Sequence, residues 1–371
     1  MPPRFTDLVQ SLPASVPFIG PETLERQRGA AFRARLGANE SVFGPSPKVL
    51  DAMARADAEI WKYGDSTSHP LRKALAAHHG VAPENIVVGE GIDGLLGYLV
   101  RLVVSPGDVV VTSAGAYPTF NYHVTGYGGV LEMCPYNADR EDLPRLIAKA
   151  NETNAKLVYL ANPDNPMGGY WTGEEIAAAL DDLNDGTLMV LDEAYGETAP
   201  SDARLPLPVE DERVIRMRTF SKAYGMAGAR VGYAIGNADT IRAFEKIRNH
   251  FGMNRSAQIG ALAALEDQQY LAQVVDQVAA SRETIAEIAR DHGVTPLPSA
   301  TNFVAVDLGG DGDLARAMVK ALADRDVFVR MPFVAPEDRC IRISCGEPED
   351  MEVLRAAFGP ALADAQEAAG A

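Results

Sequence analysis

Short, continuous runs of apolar residues recur from Asn85 to about residue 250, and most are separated by segments of helix length. The runs include NIVV, DVVVTS, KLVYLA, TLMVLD and RVIRMRT, and each is long enough for one strand. Strands that are apolar on both faces belong to a parallel sheet covered by helices on both sides. The alternation therefore predicts an α/β fold with a mostly parallel, doubly wound sheet.

The pattern changes after about residue 250. A long amphipathic segment, YLAQVVDQVAASRETIAEIARDHG, precedes the apolar run NFVAVDL, another helical segment and the short runs VFVR and CIRIS. Strands with helices on one side are typical of a smaller α+β domain. We therefore expect residues 1–44 to form an N-terminal arm that also joins the small domain, 45–252 the large domain, and 253–371 the small domain.

Charge argues against two classes of partner. Lys and Arg number 34 against 51 Asp and Glu, so the formal net charge is −17. Such a protein repels the phosphates of nucleic acids and of anionic lipids, and we expect neither nucleic acid nor a membrane as its partner. The longest apolar run, LLGYLVRLVV, is also too short to span a bilayer.

Cysteine and histidine spacing bears on compartment and metal. The cysteines Cys134, Cys340 and Cys345 form no CxxC pair, and the six histidines show no HExxH spacing. We expect no disulfide framework, no zinc site and no catalytic metal. The N-terminal segment lacks the apolar core of a signal peptide, so a reducing cytoplasm is the expected location.

A glycine pattern, GEGIDG at residues 89–94, follows a predicted strand and begins a predicted helix. A nicotinamide-dependent oxidoreductase uses such a GxGxxG loop, but it also needs an acidic residue at the end of the next strand. That strand ends near Ser113, where TSAGAYP has none. Two interpretations stay open: the amides at the helix N-terminus bind a phosphate, or glycine is needed only for a tight turn.

Polar side chains also follow three other predicted strands. Asn165 lies in NPDNPMGG after KLVYLA, and Asp192 and Tyr195 lie in DEAY after TLMVL. TFSK carries Lys222, and Arg230 follows eight residues later. Ligands of open α/β sheets bind at the carboxyl ends of the strands, so we expect these side chains to converge.

This set of groups describes the requirements of pyridoxal 5′-phosphate. The hydroxyls of Thr219 and Ser221, an arginine and a helix N-terminus suit its phosphate, and a neighbouring lysine is a Schiff-base candidate. A buried aspartate suits the protonated ring nitrogen, and asparagine and tyrosine suit the phenolic oxygen. Each residue alone has an ordinary structural explanation. Their order and spacing favour a cofactor site.

The same motifs carry a resemblance to a known family. NPxNPxG, DEAY and TxSK with its arginine resemble the fold-type I pyridoxal-phosphate aminotransferases of class I and II, most closely the histidinol-phosphate aminotransferases. GANESVFGPSP, KYGDSTSHPLRKAL and IRISCGEPED resemble further segments of that family in the same order. The resemblance covers nearly the whole chain.

The resemblance implies roles for individual residues. Lys222 would hold the cofactor as an internal aldimine and then move the proton, and Asp192 would keep the ring nitrogen protonated. Tyr195, also assigned to catalysis, would contact the phenolic oxygen with Asn165. The rest of the implied cofactor shell is Gly91, Ile92, Asp93, Thr219, Ser221, Arg230 and Phe120, the last stacking on the ring, with Tyr117 and Tyr122 as neighbouring alternatives.

Assembly and substrate contacts are also implied. Tyr63 in KYGD resembles the tyrosine that reaches the partner subunit's phosphate, which implies a homodimer with shared sites. The implied substrate contacts are Asn39, Asn165, Arg330 and Arg342. Arg342 would bind a carboxylate through two parallel hydrogen bonds, or would hold a phosphate together with Arg330. Met167 and Ile92 depart from the usual threonine and serine of the family motifs.

The predicted function is an aminotransferase that moves an amino group from an amino-acid-like donor, with histidinol phosphate as a candidate, to a 2-oxo acid such as 2-oxoglutarate. Three alternatives stay open. One is a pyridoxal-phosphate decarboxylase or lyase on the same scaffold, and another is a nicotinamide-dependent oxidoreductase. The third is a non-catalytic ligand-binding protein, which the presence of Lys222 and Asp192 argues against.

Overall fold

The computed structural model describes residues 4–14 and 19–370. The predicted N-terminal arm therefore lies partly outside the described residues, at 1–3 and 15–18, as does Ala371. The α-helices of the described ranges are α1 (Asp7–Ser11), α2 (Pro21–Arg28), α3 (Pro47–Asp57), α4 (His69–His79), α5 (Gly91–Val103), α6 (Pro118–Gly126), α7 (Leu143–Thr153), α8 (Gly173–Asp181), α9 (Ala238–Ala243), α10 (Arg255–Glu266), α11 (Gln268–Asp291), α12 (Gly312–Ala323) and α13 (Pro348–Ala369). The strands are β1 (Ala34–Arg35), β2 (Ile86–Gly89), β3 (Val109–Ser113), β4 (Val130–Cys134), β5 (Leu157–Ala161), β6 (Leu188–Asp192), β7 (Val214–Thr219), β8 (Gly232–Ile235), β9 (Thr295–Pro296), β10 (Phe303–Asp307), β11 (Val327–Phe328) and β12 (Cys340–Ser344).

The main sheet has seven strands in the order β2-β8-β7-β6-β5-β3-β4. Neighbours pair in parallel from β7 through β6, β5 and β3 to β4, whereas β8 is antiparallel to both β2 and β7. The prediction of a mostly parallel α/β sheet is confirmed. Because β2, β3, β5, β6 and β7 run in the same direction, their carboxyl ends lie along one edge.

Helices cover both faces of this sheet, as the apolar strands require. Successive side chains of a strand point to opposite faces, so Val110 and Val111 of β3 enter different clusters. Val110 packs with Leu96 of α5 and Phe120 of α6, and Val111 packs with Leu146 of α7 and with α8. The two clusters hold the strand ends in fixed positions relative to the N-terminus of α5.

A second cluster of elements forms the smaller α+β part. Strands β12, β10 and β9 make an antiparallel sheet, and β1 pairs with β11 in parallel. Ala34 and Leu36 pack in the same core as α11, α12 and α13, which is consistent with the predicted contribution of residues 1–44 to the small domain. The predicted strand VFVR is shorter than expected, since β11 contains only Val327 and Phe328.

Helix α10 bears on the predicted domain division at 252/253. Its residues Ala257, Ala261 and Leu265 share a buried cluster with Val49 of α3 and Leu71 of α4, and not with the small-domain core. Buried apolar contacts define which elements fold as one unit. We therefore propose that the large domain extends through α10 and that the division lies between α10 and α11.

The described ranges contain neither a membrane-spanning helix nor a cluster of metal-binding side chains. None of the helices within 4–14 and 19–370 is long and apolar enough to cross a membrane. In the same ranges, no three or more His, Cys, Asp or Glu side chains are grouped so that they could hold a metal ion.

Candidate active site

Two adjoining cavities open at the carboxyl edge of the main sheet. The first, here called the strand-end cavity, has a volume of about 260 Å³ and lies beside the ends of β5, β6 and β7. The second, the arginine cavity, has a volume of about 380 Å³ and contains Arg330 and Arg342. Tyr117, Asn165 and Lys222 line both cavities, so the two cavities meet at these side chains.

The structure brings most of the predicted residues together in the strand-end cavity. The residues that line this cavity and that the sequence analysis assigned to the site are Ile92, Asp93, Asn165, Asp192, Tyr195, Thr219, Ser221, Lys222 and Arg230. They come from the N-terminus of α5, from the loop after β5, and from the segments that follow β6 and β7. The convergence follows from the parallel order of these strands.

Lys222 lies three residues after the end of β7, and its amine points into both cavities. Nζ donates a hydrogen bond of 3.0 Å to the backbone carbonyl of Asn39. Burial, together with the positive charge of Arg342, lowers the pKa of Lys222 to about 8. A lysine with a lowered pKa has an accessible neutral form, which is the form that attacks a carbonyl carbon.

Asp192 is the last residue of β6 and is buried. Its carboxylate accepts a hydrogen bond of 2.6 Å from the phenol of Tyr159 and one of 2.9 Å from the backbone amide of Ala194. Burial raises the pKa of Asp192 to about 6, and these two hydrogen bonds oppose that shift. A buried carboxylate that remains ionised at neutral pH suits a cationic ring nitrogen.

The hydroxyls predicted for a phosphate site form one connected group. Thr219 Oγ1 donates to Ser221 Oγ at 2.9 Å, and Arg230 Nη1 donates to the same oxygen at 3.4 Å. Arg230 Nη2 also pairs with Asp93 of α5 at 3.3 Å. The guanidinium therefore lies beside the helix N-terminus, where a phosphate is favoured by both the amides and the cation.

Gly91 allows this close approach. Its φ is +78°, and a Cβ at this position would lie 2.5 Å from Nη2 of Arg230. A Cβ on Gly232 of β8 would likewise lie 2.7 Å from the carbonyl carbon of Gly91. The glycines keep the space beside Arg230 open, which supports the phosphate-site interpretation of GEGIDG over a turn that serves packing alone.

Tyr195 and Asn39 are joined at the floor of the cavities. Nδ2 of Asn39 donates to the hydroxyl of Tyr195 at 3.1 Å, and Oδ1 of Asn39 accepts from the hydroxyl of Ser344 at 2.8 Å. Asn39 lines the arginine cavity and connects the N-terminal segment with both domains. Its side chain is thus committed to holding Tyr195 in place.

Arg330 and Arg342 are held side by side by the backbone. The amide of Arg342 donates to the carbonyl of Arg330 at 2.6 Å, and the reverse bond measures 3.2 Å. Nη1 of Arg342 donates to Oδ1 of Asn165 at 2.5 Å, whereas its Nε is buried with no hydrogen-bond partner among the described residues. Burial lowers the pKa of Arg342 to about 10, so the guanidinium is a desolvated cation at neutral pH.

A family comparison decides what this arrangement is. The model of the family described as aminotransferase class I and II matches residues 34–358, which include every site residue described above. The chain belongs to the class I and II aminotransferases. The resemblance inferred from the motifs is confirmed, and so is the prediction of an enzyme that transfers amino groups.

Individual aminotransferases are similar over nearly the full length. Histidinol-phosphate aminotransferase from Anaeromyxobacter sp. is 34% identical over 361 residues, covering 95% of this chain and 98% of the relative. Histidinol-phosphate aminotransferase 2 from Carboxydothermus hydrogenoformans is 33% identical over 344 residues, with 92% and 94% covered. The crystal structure of histidinol-phosphate aminotransferase from Sinorhizobium meliloti in complex with pyridoxal-5′-phosphate is 56% identical, with a TM-score of 0.93 and coverage of 97% and 98%.

Phe120, predicted as the ring-stacking aromatic, lines neither of the two cavities. Phe120 is fully buried in the sheet core of this aminotransferase, where its ring stacks on Tyr159 at a centroid distance of 4.7 Å. It points inward because it lies on the apolar face of α6. Tyr117, at the N-terminus of the same helix, lines both cavities and donates a hydrogen bond of 3.0 Å to Asp93. We propose Tyr117 for the stacking role.

Tyr159 is a site residue that the sequence reasoning missed. It lies inside the apolar strand KLVYLA, where a tyrosine is normally a core residue. Tyr159 lies two residues before the carboxyl end of β5, and β5 pairs with β6. This position allows its hydroxyl to donate a hydrogen bond to Asp192. The strand order, which the sequence does not reveal, was the missing information.

Proposed function

We propose that this aminotransferase moves the amino group of histidinol phosphate to a 2-oxo acid such as 2-oxoglutarate. The predicted cofactor, pyridoxal phosphate, is confirmed by family membership and by the Sinorhizobium meliloti complex. The donor set of the strand-end cavity fits this cofactor, because it offers an amine, an ionised carboxylate and a cationic anion-binding group at separate places.

The cofactor, when bound, supplies an electron sink for the electrons left behind when the donor loses a proton. Asp192 would keep a positive charge at the ring nitrogen, and Tyr195 and Asn165 would contact the phenolic oxygen. Thr219, Ser221 and Arg230 would hold the phosphate. Lys222 lines both cavities, so its amine is placed to take the proton from the donor carbon and return it one position away.

The Arg330–Arg342 pair carries the proposal for the substrate. A single guanidinium suffices for the carboxylate of an ordinary amino acid, whereas a phosphate dianion is best neutralised by two. Both arginines line the cavity that Lys222 enters, and an isolated backbone bridge between them holds them adjacent. The same pair accepts a carboxylate of 2-oxoglutarate in the second half of the reaction.

Shape supports an aromatic or imidazole group between the phosphate and the amine. The wall of the arginine cavity beside the two cations is apolar and is formed by Met133, Met331, Pro332, Phe333 and Val334. An imidazole ring fits such a wall better than a second charged group would. Among the relatives, the Sinorhizobium meliloti, Anaeromyxobacter and Carboxydothermus proteins all carry the name histidinol-phosphate aminotransferase.

We also propose a homodimer in the cytoplasm. Tyr63 is 81% exposed and its ring contacts Phe251, and the neighbouring Ile60 and Trp61 are exposed as well. An exposed patch of large apolar side chains is typical of an interface between subunits, and there Tyr63 would reach the phosphate bound by the other copy. The three cysteines are unpaired and buried, which agrees with a reducing compartment.

A donor panel tests the proposed function. Purified enzyme is given 2-oxoglutarate with histidinol phosphate, histidinol, phenylalanine, tyrosine or aspartate, and formation of glutamate is followed. Histidinol phosphate is expected to have the highest kcat/KM, because only it places a phosphate on the arginine pair. Equal use of histidinol would contradict phosphate recognition. Release of carbon dioxide from an amino acid without formation of glutamate would favour the decarboxylase alternative.

A further inference from the structure

Ser344 is a buried residue at the end of β12, two positions after Arg342, and it is only 2% exposed. Alternate side chains of a strand share one face. Ile341 and Ile343 pack in the small-domain core, whereas Arg342 faces the arginine cavity, so Ser344 lies on the side of the strand that faces the site. One strand therefore carries both the arginine proposed for the substrate anion and a buried hydroxyl.

This hydroxyl makes two hydrogen bonds with Asn39. Oγ of Ser344 accepts from the backbone amide of Asn39 at 3.0 Å and donates to Oδ1 of the same residue at 2.8 Å. The first direction is fixed, because a backbone N–H can only donate. Among the described residues the hydroxyl makes no other hydrogen bond, so a carboxamide turned the other way would leave its buried hydrogen without an acceptor. Ser344 thus holds the oxygen of the Asn39 carboxamide toward itself.

The orientation of that carboxamide determines how Tyr195 is hydrogen-bonded. With Oδ1 toward Ser344, Nδ2 of Asn39 donates to the hydroxyl of Tyr195 at 3.1 Å. An NH2 group cannot accept, so the phenol cannot direct its own hydrogen at Asn39. The hydrogen of Tyr195 is left for an acceptor in the strand-end cavity, which this residue lines.

The backbone of Asn39 is held separately from its side chain. Its φ of +54° is left-handed, a conformation that asparagine adopts more readily than most residues. Its carbonyl accepts from Nδ2 of Asn302 at 3.1 Å and from Nζ of Lys222 at 3.0 Å. Because Asn302 continues to hold the segment, loss of the Ser344 hydroxyl allows the carboxamide to turn without releasing the backbone.

We propose that Ser344 is a positioning residue that acts through Asn39 and keeps Tyr195 a hydrogen-bond donor to the phenolic oxygen of the bound cofactor. The inference rests on the proposed contact between Tyr195 and that oxygen, and it is independent of which amino donor the enzyme uses. Without the hydroxyl, the carboxamide turns its oxygen toward Tyr195 in part of the molecules, and the phenol there donates to Asn39 instead.

The test is a spectrophotometric pH titration of the cofactor-loaded enzyme without an amino donor. The visible absorbance reports the protonation of the covalent linkage between Lys222 and the cofactor. A donor at the phenolic oxygen stabilises the negative charge that remains when the linkage loses its proton, and so lowers the pKa of the linkage. Tyr195→Phe should therefore raise that pKa by about one unit, as expected for the loss of one hydrogen bond to a charged group.

Ser344→Ala should raise the pKa of the linkage by about half a unit, because only part of the molecules lose the donor. The rise should disappear when Tyr195→Phe is already present, since no phenol is left to turn. It should also disappear in Asn39→Gly, which permits the same φ and removes the carboxamide. Ser281→Ala is the matched control. Ser281 is a buried serine of α11 whose Oγ likewise accepts from a backbone amide, that of Gly346 at 3.0 Å, and its loss should leave the titration as in wild type.

Three outcomes would overturn the role of Ser344. They are an unchanged pKa of the linkage in Ser344→Ala, an equal rise in Ser281→Ala, and a rise in Ser344→Ala that persists in full beside Tyr195→Phe. An unchanged pKa in Tyr195→Phe itself would refute the contact between Tyr195 and the phenolic oxygen, and the inference with it. The donor panel would still decide the proposed substrate in that case, because the titration contains no donor.

Discussion

The phenol of Tyr159 donates a 2.6 Å hydrogen bond to the carboxylate of Asp192, and both side chains are buried at the carboxyl edge of the main sheet. The bond favours the ionised form of Asp192 in a place where burial alone favours the protonated form. In the proposed role of Asp192 as the anionic partner of the cofactor's ring nitrogen, Tyr159 maintains the charge state which that role requires.

Tyr159→Phe is expected to shift the acid limb of the pH–kcat profile to higher pH. Activity is lost as pH falls, because protonated Asp192 no longer stabilises a cationic ring nitrogen. Loss of one hydrogen bond to a charged group raises the pKa of Asp192 by about one unit. Bound cofactor lowers the pKa of Asp192 in wild type and in Tyr159→Phe alike. The pKa of Asp192 therefore stays higher in the variant than in wild type. Tyr127→Phe, at an exposed position, is the control, and an unmoved acid limb in Tyr159→Phe would contradict this role.

Lys222→Ala is expected to abolish covalent attachment of the cofactor while the fold is retained. Lys222 is the lysine that lines both cavities, and alanine removes its amine without adding volume. Borohydride reduction followed by peptide mapping should place the pyridoxyl label on Lys222 in wild type and nowhere in the variant. A label on another lysine would refute the assignment.

Gly91→Ala is expected to weaken pyridoxal phosphate binding about tenfold, since a left-handed φ costs an alanine about 1–2 kcal/mol. The φ of Gly91 is +78°, and the new Cβ would also displace Arg230, because it would lie 2.5 Å from Nη2. Gly94→Ala is the matched control in the same helix turn, where the nearest atom to a Cβ is Oε2 of Glu90 at 3.3 Å. Equal cofactor Kd values for the two variants would contradict the proposal that Gly91 keeps space open for the phosphate.

Mixing Tyr63→Ala with Lys222→Ala tests the proposed shared sites. Each variant alone should have little activity, the first through a weakened phosphate contact and the second through the missing amine. Random reassortment of subunits should give hybrid dimers with one intact site, and about a quarter of wild-type activity should return. Absence of any recovery after subunit exchange, verified by mass, would show that Tyr63 does not act across an interface.

The motif residues could be predicted because local sequence determines them. Asp192, Thr219 and Lys222 each follow an apolar strand, and parallel strands bring their carboxyl ends together without detailed knowledge of packing. The glycines of GEGIDG also agree with the structure, because a positive φ at Gly91 is a local property.

Positions that depend on packing could not be predicted. Phe120 and Tyr117 lie three residues apart at the beginning of α6, and only the direction of the helix face decides which ring enters the cavity. The assignment of α10 to the large domain depends on contacts with α3 and α4, which are about two hundred residues away in the chain.

The most direct test of the proposed function compares donors in the half-reaction of Arg330→Ala, followed by the absorbance of the cofactor in single turnovers. Loss of one of two cations that bind a phosphate costs about 2–5 kcal/mol. The rate constant over Kd for histidinol phosphate should therefore fall roughly a hundredfold, while that for phenylalanine, whose carboxylate needs only Arg342, should change little. Arg33→Ala, an exposed arginine, should leave both unchanged. Equal losses for the two donors, or none for histidinol phosphate, would contradict recognition of a phosphorylated donor by the arginine pair.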